Sequence, residues 1–247
     1  MRKKLLSLLL CIAMVASMVT IPAMGAGPDV TAIRFSDLAG HWAEKSIIRW
    51  TDYGVVRGDP AGTFRPNADL SRREMATILS NFLHLTVKAE NVDTRDYLTV
   101  KGYPWHVEAV LKCAAAGIMN GDEGLAKAGS SVTRQEAMVM LGIALGITPA
   151  PKADLAAFTD GATVADWAAG YVTALTKAGI VAGVGKNRIA PLANISRASV
   201  LSILDRAVSD YIAAPGTYDK VVGTGIVAVV VPDVILKGNK IAGSLLV

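Results

Sequence analysis

The sequence is short of the residues that usually carry chemistry. Its 247 residues include only two cysteines and three histidines. Cys11 lies in an N-terminal apolar stretch, so Cys113 is left without an internal partner and a disulfide scaffold is excluded. His41, His84 and His106 sit in no H-E-x-x-H pattern, and G-x-S-x-G and C-x-x-C are absent too. The near-misses fail on context. The run from Gly223 to Ala228 meets a dinucleotide fingerprint formally, but a strand containing Pro232 follows where a helix is required. The run GVGKNR lacks a hydroxyl residue after Lys186, and Asp59 and Asp122 stand in turns without calcium-loop spacing. Asn194-Ile195-Ser196 matches a glycosylation acceptor, but Ser196 is more simply a helix cap. No catalytic residue, cofactor or metal is expected.

Charge of one sign is also scarce. The formal net charge is +4, but residues 1–26 hold Arg2, Lys3 and Lys4 and no acid. The remainder carries 22 basic against 21 acidic residues, too even a balance for a nucleic-acid binder. At 52% hydrophobic and 19% charged the chain is not a disordered one. The basic start, the apolar run from Leu5 to Ile21 and the small residues around Gly25 and Ala26 form the pattern of a secretory signal peptide, assigned to 1–26. No later segment is long and apolar enough to span a membrane, so the mature chain is expected to be exported and free of the membrane.

What the sequence does have is a period. Tryptophans stand at 42, 105 and 167, glycines at 54, 117 and 179, and arginines at 72, 134 and 197. Three residue types share an interval of 62 or 63 residues, which marks three copies of one unit. The copies are placed at 27–86, 87–150 and 151–213. Each reads as helix, loop, helix, the first helix starting near the tryptophan and ending at the glycine. The second starts at SRRE, TRQE or SRAS and carries one apolar stripe: Met75, Ile78, Leu79, Phe82 and Leu83 in the first copy, with equivalents in the others. The predicted fold is mainly α, three such units packing around a pseudo-threefold axis.

Ser71 with Glu74, and Thr133 with Glu136, fit a capping box; in the third copy Ser199 stands in place of the Glu. The arginine is not needed for capping, and a cation in the first turn opposes the helix dipole. It therefore serves either a salt bridge or an anion site, where free N–H groups at the helix start and a planar guanidinium would hold a carboxylate or phosphate. Trp42, Trp105 and Trp167 are either packing residues or flat faces for a sugar ring.

The stretch FSDLAGHWAEKSIIRWTDYGVVRGDPAGTFRPNADLSRREMATIL resembles the S-layer homology repeat along its whole length, through Phe35-Ser36-Asp37, His41-Trp42-Ala43, Gly54, the Gly62-to-Asn67 arm and Ser71-Arg72-Arg73-Glu74. The resemblance extends over three tandem copies. It implies a pseudo-trimer around a central three-helix bundle that binds, without catalysis, secondary cell-wall polysaccharide attached to peptidoglycan. It further implies a pyruvylated N-acetylmannosamine whose ketal carboxylate meets Arg72, Arg134 and Arg197. Trp42, Trp105, Trp167, Glu74, Glu136 and Asp37 complete the implied ligand set, and Arg72's groove is the best preserved. Copy two departs by having Leu98, Thr99 and Val100 where Phe-x-Asp is expected, and copy three by lacking the Glu. Exchange of the three arginines for alanine is expected to abolish wall retention and leave helicity intact.

After Ile212 the texture changes. AAPGTYDK reads as a linker, and the Val- and Ile-rich tail as short strands with turns at Pro232-Asp233 and Gly238-Asn239. Residues 214–247 resemble the first turn of a parallel β-helix, as if the chain were the front of a longer protein. That protein would be a lattice subunit self-associating through its C-terminal region, or a surface polysaccharide-degrading enzyme. Cys113 is expected to be a small buried side chain.

Overall fold

The computed structural model describes residues 35–87, 106–121 and 126–247. The signal peptide, Trp105, Leu98 to Val100 and Asp122 lie outside these residues. Among the described residues six α-helices come in pairs, one pair per copy: α1 (Glu44–Asp52) and α2 (Arg72–Phe82), α3 (Val107–Ala115) and α4 (Arg134–Ala144), α5 (Asp166–Lys177) and α6 (Arg197–Ala207). Short strands follow at the C-terminal end, so the chain is mainly helical as expected.

The first helices stop where the sequence places a glycine. Gly54 has φ +74°, and its N–H and that of Val55 turn back to the carbonyls of Thr51 and Trp50. Gly117 and Gly179, both at φ +68°, end α3 and α5 the same way. The second helices start at Ser71, Thr133 and Ser196, each hydroxyl accepting from the N–H three residues on. In the first two copies the Glu side chain accepts from the cap's own N–H, which completes the box. The apolar stripes face inward: Met75, Leu79, Ala137, Leu141, Val200 and Leu204 are fully buried in one continuous core.

The packing unit is not the sequence repeat. Each second helix lies against the first helix of the next copy, α2 on α3 and α4 on α5, and α6 closes the ring on α1. At the axis, three backbone bonds form a triangle. Leu70 N–H donates to Ile195, Ile195 to Val132 and Val132 to Leu70, over 2.8–2.9 Å. One copy alone supplies one side of that triangle and half of each helix pair, which is why the three must fold together.

Helix α6 passes without a spacer into β1 (Val208–Ile212), within the stretch read as the third copy. The expected linker is not one: Gly216–Tyr218 forms β2. Strands β3 (Ile226–Val229), β4 (Val234–Leu236) and β5 (Ser244–Leu246) follow. All pairings are parallel, β1 to β3 to β5 and β2 to β4, with Val208 beside Ile226 beside Ser244 and Gly216 beside Val234. Partners lie 18 residues apart, or 17 in β1 beyond the register shift between Val208 and Asp210, which makes this a stack of coils. The bends at Pro232-Asp233 and Gly238 fall where the sequence put them. Tyr211 fastens the coils to the helices: its ring packs among Trp50, Tyr53 and Phe82, and its hydroxyl donates to the Phe82 carbonyl at 2.6 Å.

Candidate functional site

Each second helix begins beneath the loop of the next copy, so its first amides are covered. The N–H groups of Arg72 and Arg73 donate to the carbonyls of Ser130 and Ala128. Those of Arg134 and Gln135 donate to Ala193 and Pro191, and those of Arg197 and Ala198 to Ala68 and Pro66. The third amide goes to the capping hydroxyl. The helix starts therefore do not offer the free N–H groups expected for an anion. Neighbouring carbonyls have taken them, because a buried amide is costly without a partner.

The arginine side chains reach across the same junctions. Arg72 donates through Nε to Ala126 O at 2.8 Å and through Nη2 to Asn120 O at 3.0 Å, and pairs with Glu136 at 3.3 Å. Arg197 repeats the pattern one step round the ring, to Phe64 O at 3.0 Å, Arg57 O at 3.1 Å and Glu74 at 3.2 Å. Its guanidinium also lies over the Phe64 ring, 4.5 Å from the centroid. Arg134 donates through Nε to Ile189 O at 2.9 Å. The position that would supply its acid is Ser199, whose hydroxyl instead meets that of Ser196 at 2.8 Å.

Glu74 and Glu136 each serve two elements. Oε2 of Glu74 accepts from Ser71 and Oε1 from Arg197; Glu136 does the same for Thr133 and Arg72. Burial alone would raise the Glu74 carboxyl, but the Ser71 bonds and the nearby Arg197 outweigh it and hold it below its ordinary value. Burial lowers the guanidinium of Arg197, opposed by Glu74, and that of Arg134, opposed only by the field of Asp160.

Asp37 is implied as a ligand contact, but both its oxygens are occupied within its own copy. They accept from Phe64 N–H at 2.8 Å and Arg65 N–H at 2.7 Å. Asp160 holds the N–H groups of Ile189 and Ala190 in the same way. Both carboxyls are loop braces. Phe35 packs on Phe64 beside the first brace, with ring centroids 5.5 Å apart.

Two open clefts lie at the junctions. One, of about 490 Å³, joins Arg197 to Glu74, Arg65, Asp59 and Asn81. The other, of about 470 Å³, joins Arg72 to Glu136, Lys127 and Trp167. Two of the repeat tryptophans, Trp42 and Trp167, are not packing residues: Trp42 is 63% exposed and Trp167 59%. Sequence reasoning missed Arg65 and Lys127. The signal was their shared place seven residues before the arginine, where Arg65, Lys127 and Ala190 all adopt positive φ. Cys113 is buried as expected, its thiol pushed up to about 12 by burial. Among the described residues no cluster of His, Cys, Asp and Glu is arranged to hold a metal.

The family model described as the S-layer homology domain matches three tandem segments, 34–76, 96–138 and 157–201. The chain belongs to that family. Over 185 residues it is 30% identical to the Surface-layer 125 kDa protein of Lysinibacillus sphaericus, covering 73% of this chain and 15% of that one. It is 28% identical over 69% of its length to the Amylopullulanase of Thermoanaerobacterium thermosulfurigenes, and 29% identical over 96% to S-layer protein EA1 of Bacillus anthracis. It spans 9% and 28% of those two relatives. The S-layer homology matches end at residue 201, so the coil stack lies beyond them.

Proposed function

We propose that the three S-layer homology repeats anchor an exported protein to the bacterial cell surface by non-covalent binding of secondary cell-wall polysaccharide attached to peptidoglycan. The observation that carries this is the pair of open clefts at the repeat junctions, one of which sets Lys127, Arg72 and an exposed tryptophan, Trp167, around one space. A cation beside a flat apolar face is the combination that an acidic sugar requires. The carboxylate of a pyruvate ketal is the group proposed to meet it. The repeats act as a binding module with no catalytic role. The kinship with surface-layer proteins and with an amylopullulanase supports a cell-surface location, with either a lattice protein or a surface enzyme as the whole molecule. Among the described residues no helix is long and apolar enough to cross a membrane.

The test is sedimentation with peptidoglycan sacculi, one sample retaining its polysaccharide and one stripped by acid. The protein is expected to pellet with the first alone. Equal binding to both samples, or to neither, overturns the polysaccharide reading.

A further inference from the structure

Seven asparagines stand in the chain, and only Asn120 is followed by glycine. Asn67, Asn81, Asn187, Asn194 and Asn239 each have the side-chain amide in a hydrogen bond. Asn91 lies outside the described residues. Asn120 differs from the other five. Among the described residues neither its side chain nor the Gly121 N–H has a hydrogen-bond partner, and both residues are exposed. The chain just before them is fixed. The N–H groups of Ile118 and Met119 donate to the Cys113 carbonyl, and Asn120 O accepts from Arg72 Nη2 at 3.0 Å. In the first copy the matching carbonyl, held by Arg197, belongs to Arg57, and in the third copy the matching residue is Ala182. Only the second copy therefore combines an Asn-Gly pair with a guanidinium on the peptide that joins it.

Such a pair reacts with itself. The Gly121 nitrogen loses its proton and attacks Cγ of Asn120; the Cγ–Nδ2 bond breaks and ammonia leaves, carrying off a proton. Water then opens the five-membered imide at one of its two carbonyls, giving aspartate or isoaspartate. Glycine puts no Cβ beside the attacking nitrogen. Loss of the amide proton leaves negative charge shared with the oxygen of the same peptide. That oxygen is Asn120 O, where the Arg72 guanidinium already sits. A fixed cation at the atom where charge develops lowers the barrier. We propose that Asn120-Gly121 is a site of spontaneous deamidation, promoted by Arg72, that switches off the cleft it lines. Both residues line the cleft that holds Arg72, Lys127 and Trp167, and either product adds a negative charge there. In isoaspartate the chain runs on through Cγ, and the former main-chain carbonyl, the group on Arg72, becomes the free carboxylate. The guanidinium then has an internal anion, and an acidic ligand meets a like charge. The switch rests on the acidic-polysaccharide reading above; the modification does not.

Tryptic digestion isolates the question, because the peptide from Cys113 to Lys127 contains Asn120 and no other asparagine. The protein is aged in mildly alkaline buffer, in mildly acidic buffer, and in alkaline buffer with urea. The peptide is followed by mass spectrometry, and isoaspartyl methyltransferase counts the isoaspartate. Exchange of NH for O in this peptide is expected in alkali, more slowly in acid, and at least as fast in the folded protein as in urea. Gly121→Ala is expected to suppress it. An unchanged peptide, or faster conversion in urea than in the folded protein, overturns the proposal. Sedimentation with intact sacculi reads the cleft. Aged protein and Asn120→Asp are expected to bind about fivefold more weakly than fresh protein, the upper worth of an exposed charge interaction. Equal binding of aged and fresh protein overturns the switch. If fresh protein does not pellet, the anchoring reading falls and the switch with it, while the mass change still decides the modification.

Discussion

One oxygen of Glu136 closes the cap of its own helix and the other reaches back to Arg72 of the preceding repeat. Glu136→Gln keeps the shape and removes the charge. It is expected to cost about 1.5–3 kcal/mol, the range for a hydrogen bond to a charged group, read as a lower urea midpoint. Arg197→Ala is expected to cost about 3 kcal/mol, since it strands Glu74 and two loop carbonyls at a buried junction. This corrects the expectation that triple alanine substitution leaves the fold intact: the arginines hold the repeats together, so lost wall retention in that variant would report unfolding as well as lost contacts. The arginine was visible in the sequence because it recurs where capping gives it no purpose. Its acid partner was hidden, because Glu74 and Glu136 already had a sufficient local explanation in the capping box. A residue with two jobs shows only the nearer one to a reader of sequence.

At the scale of the element, periodicity carried the reading well. The apolar stripe behind each arginine, the three capping hydroxyls and the three terminating glycines stand where the pattern placed them. Thr133→Ala is expected to lower stability by about 1 kcal/mol, and Ser196→Ala by less, because the third cap is half a box. Gly142 answers to a different constraint. Alanine is the better helix former, but a Cβ there would stand 2.4 Å from the Tyr171 ring of the neighbouring helix. Gly142→Ala is therefore expected to destabilise, and thermal melting will show whether the contact outweighs propensity. The sequence misled at 213–220, where Ala, Pro and Gly imitate a linker. A parallel coil strand of three residues, as β2 is, is too short for alternation to appear, and its partner lies 18 residues away.

The whole molecule depends on closure. The last helix packs on the first, α6 on α1, and Arg49 of α1 pairs with Asp205 of α6 at 2.8 Å. A chain ending at residue 150 lacks that partner for α1, and is expected to show no cooperative melting transition where residues 27–247 show one. Acid acts on the whole in one direction. Burial raises the carboxyls of Glu74, Asp37, Asp160 and Asp210, but hydrogen bonds to them outweigh it and leave all four below their ordinary values. Acid thus protonates them in the unfolded chain first. Their stabilisation is complete above the ordinary Glu value of 4.5 and lost as pH falls through and below the Asp value of 3.8. Urea midpoints at pH 7 and pH 3 check this; a midpoint that holds or rises in acid contradicts it.

The Tyr211 clamp has a mechanical consequence. Because α6 becomes β1 with no slack between them, tension applied at the coil stack is not absorbed by a tether. It enters α6 along its axis and at the same time enters the first repeat, through the Tyr211 hydroxyl on Phe82 and through Arg49, which also donates to the Val208 carbonyl. The load divides between the two ends of the ring and tends to draw them past each other rather than peel one away. Tyr211→Phe, in a single-molecule pulling experiment, should turn this shared shear into sequential peeling and lower the rupture force without changing the helical spectrum at rest.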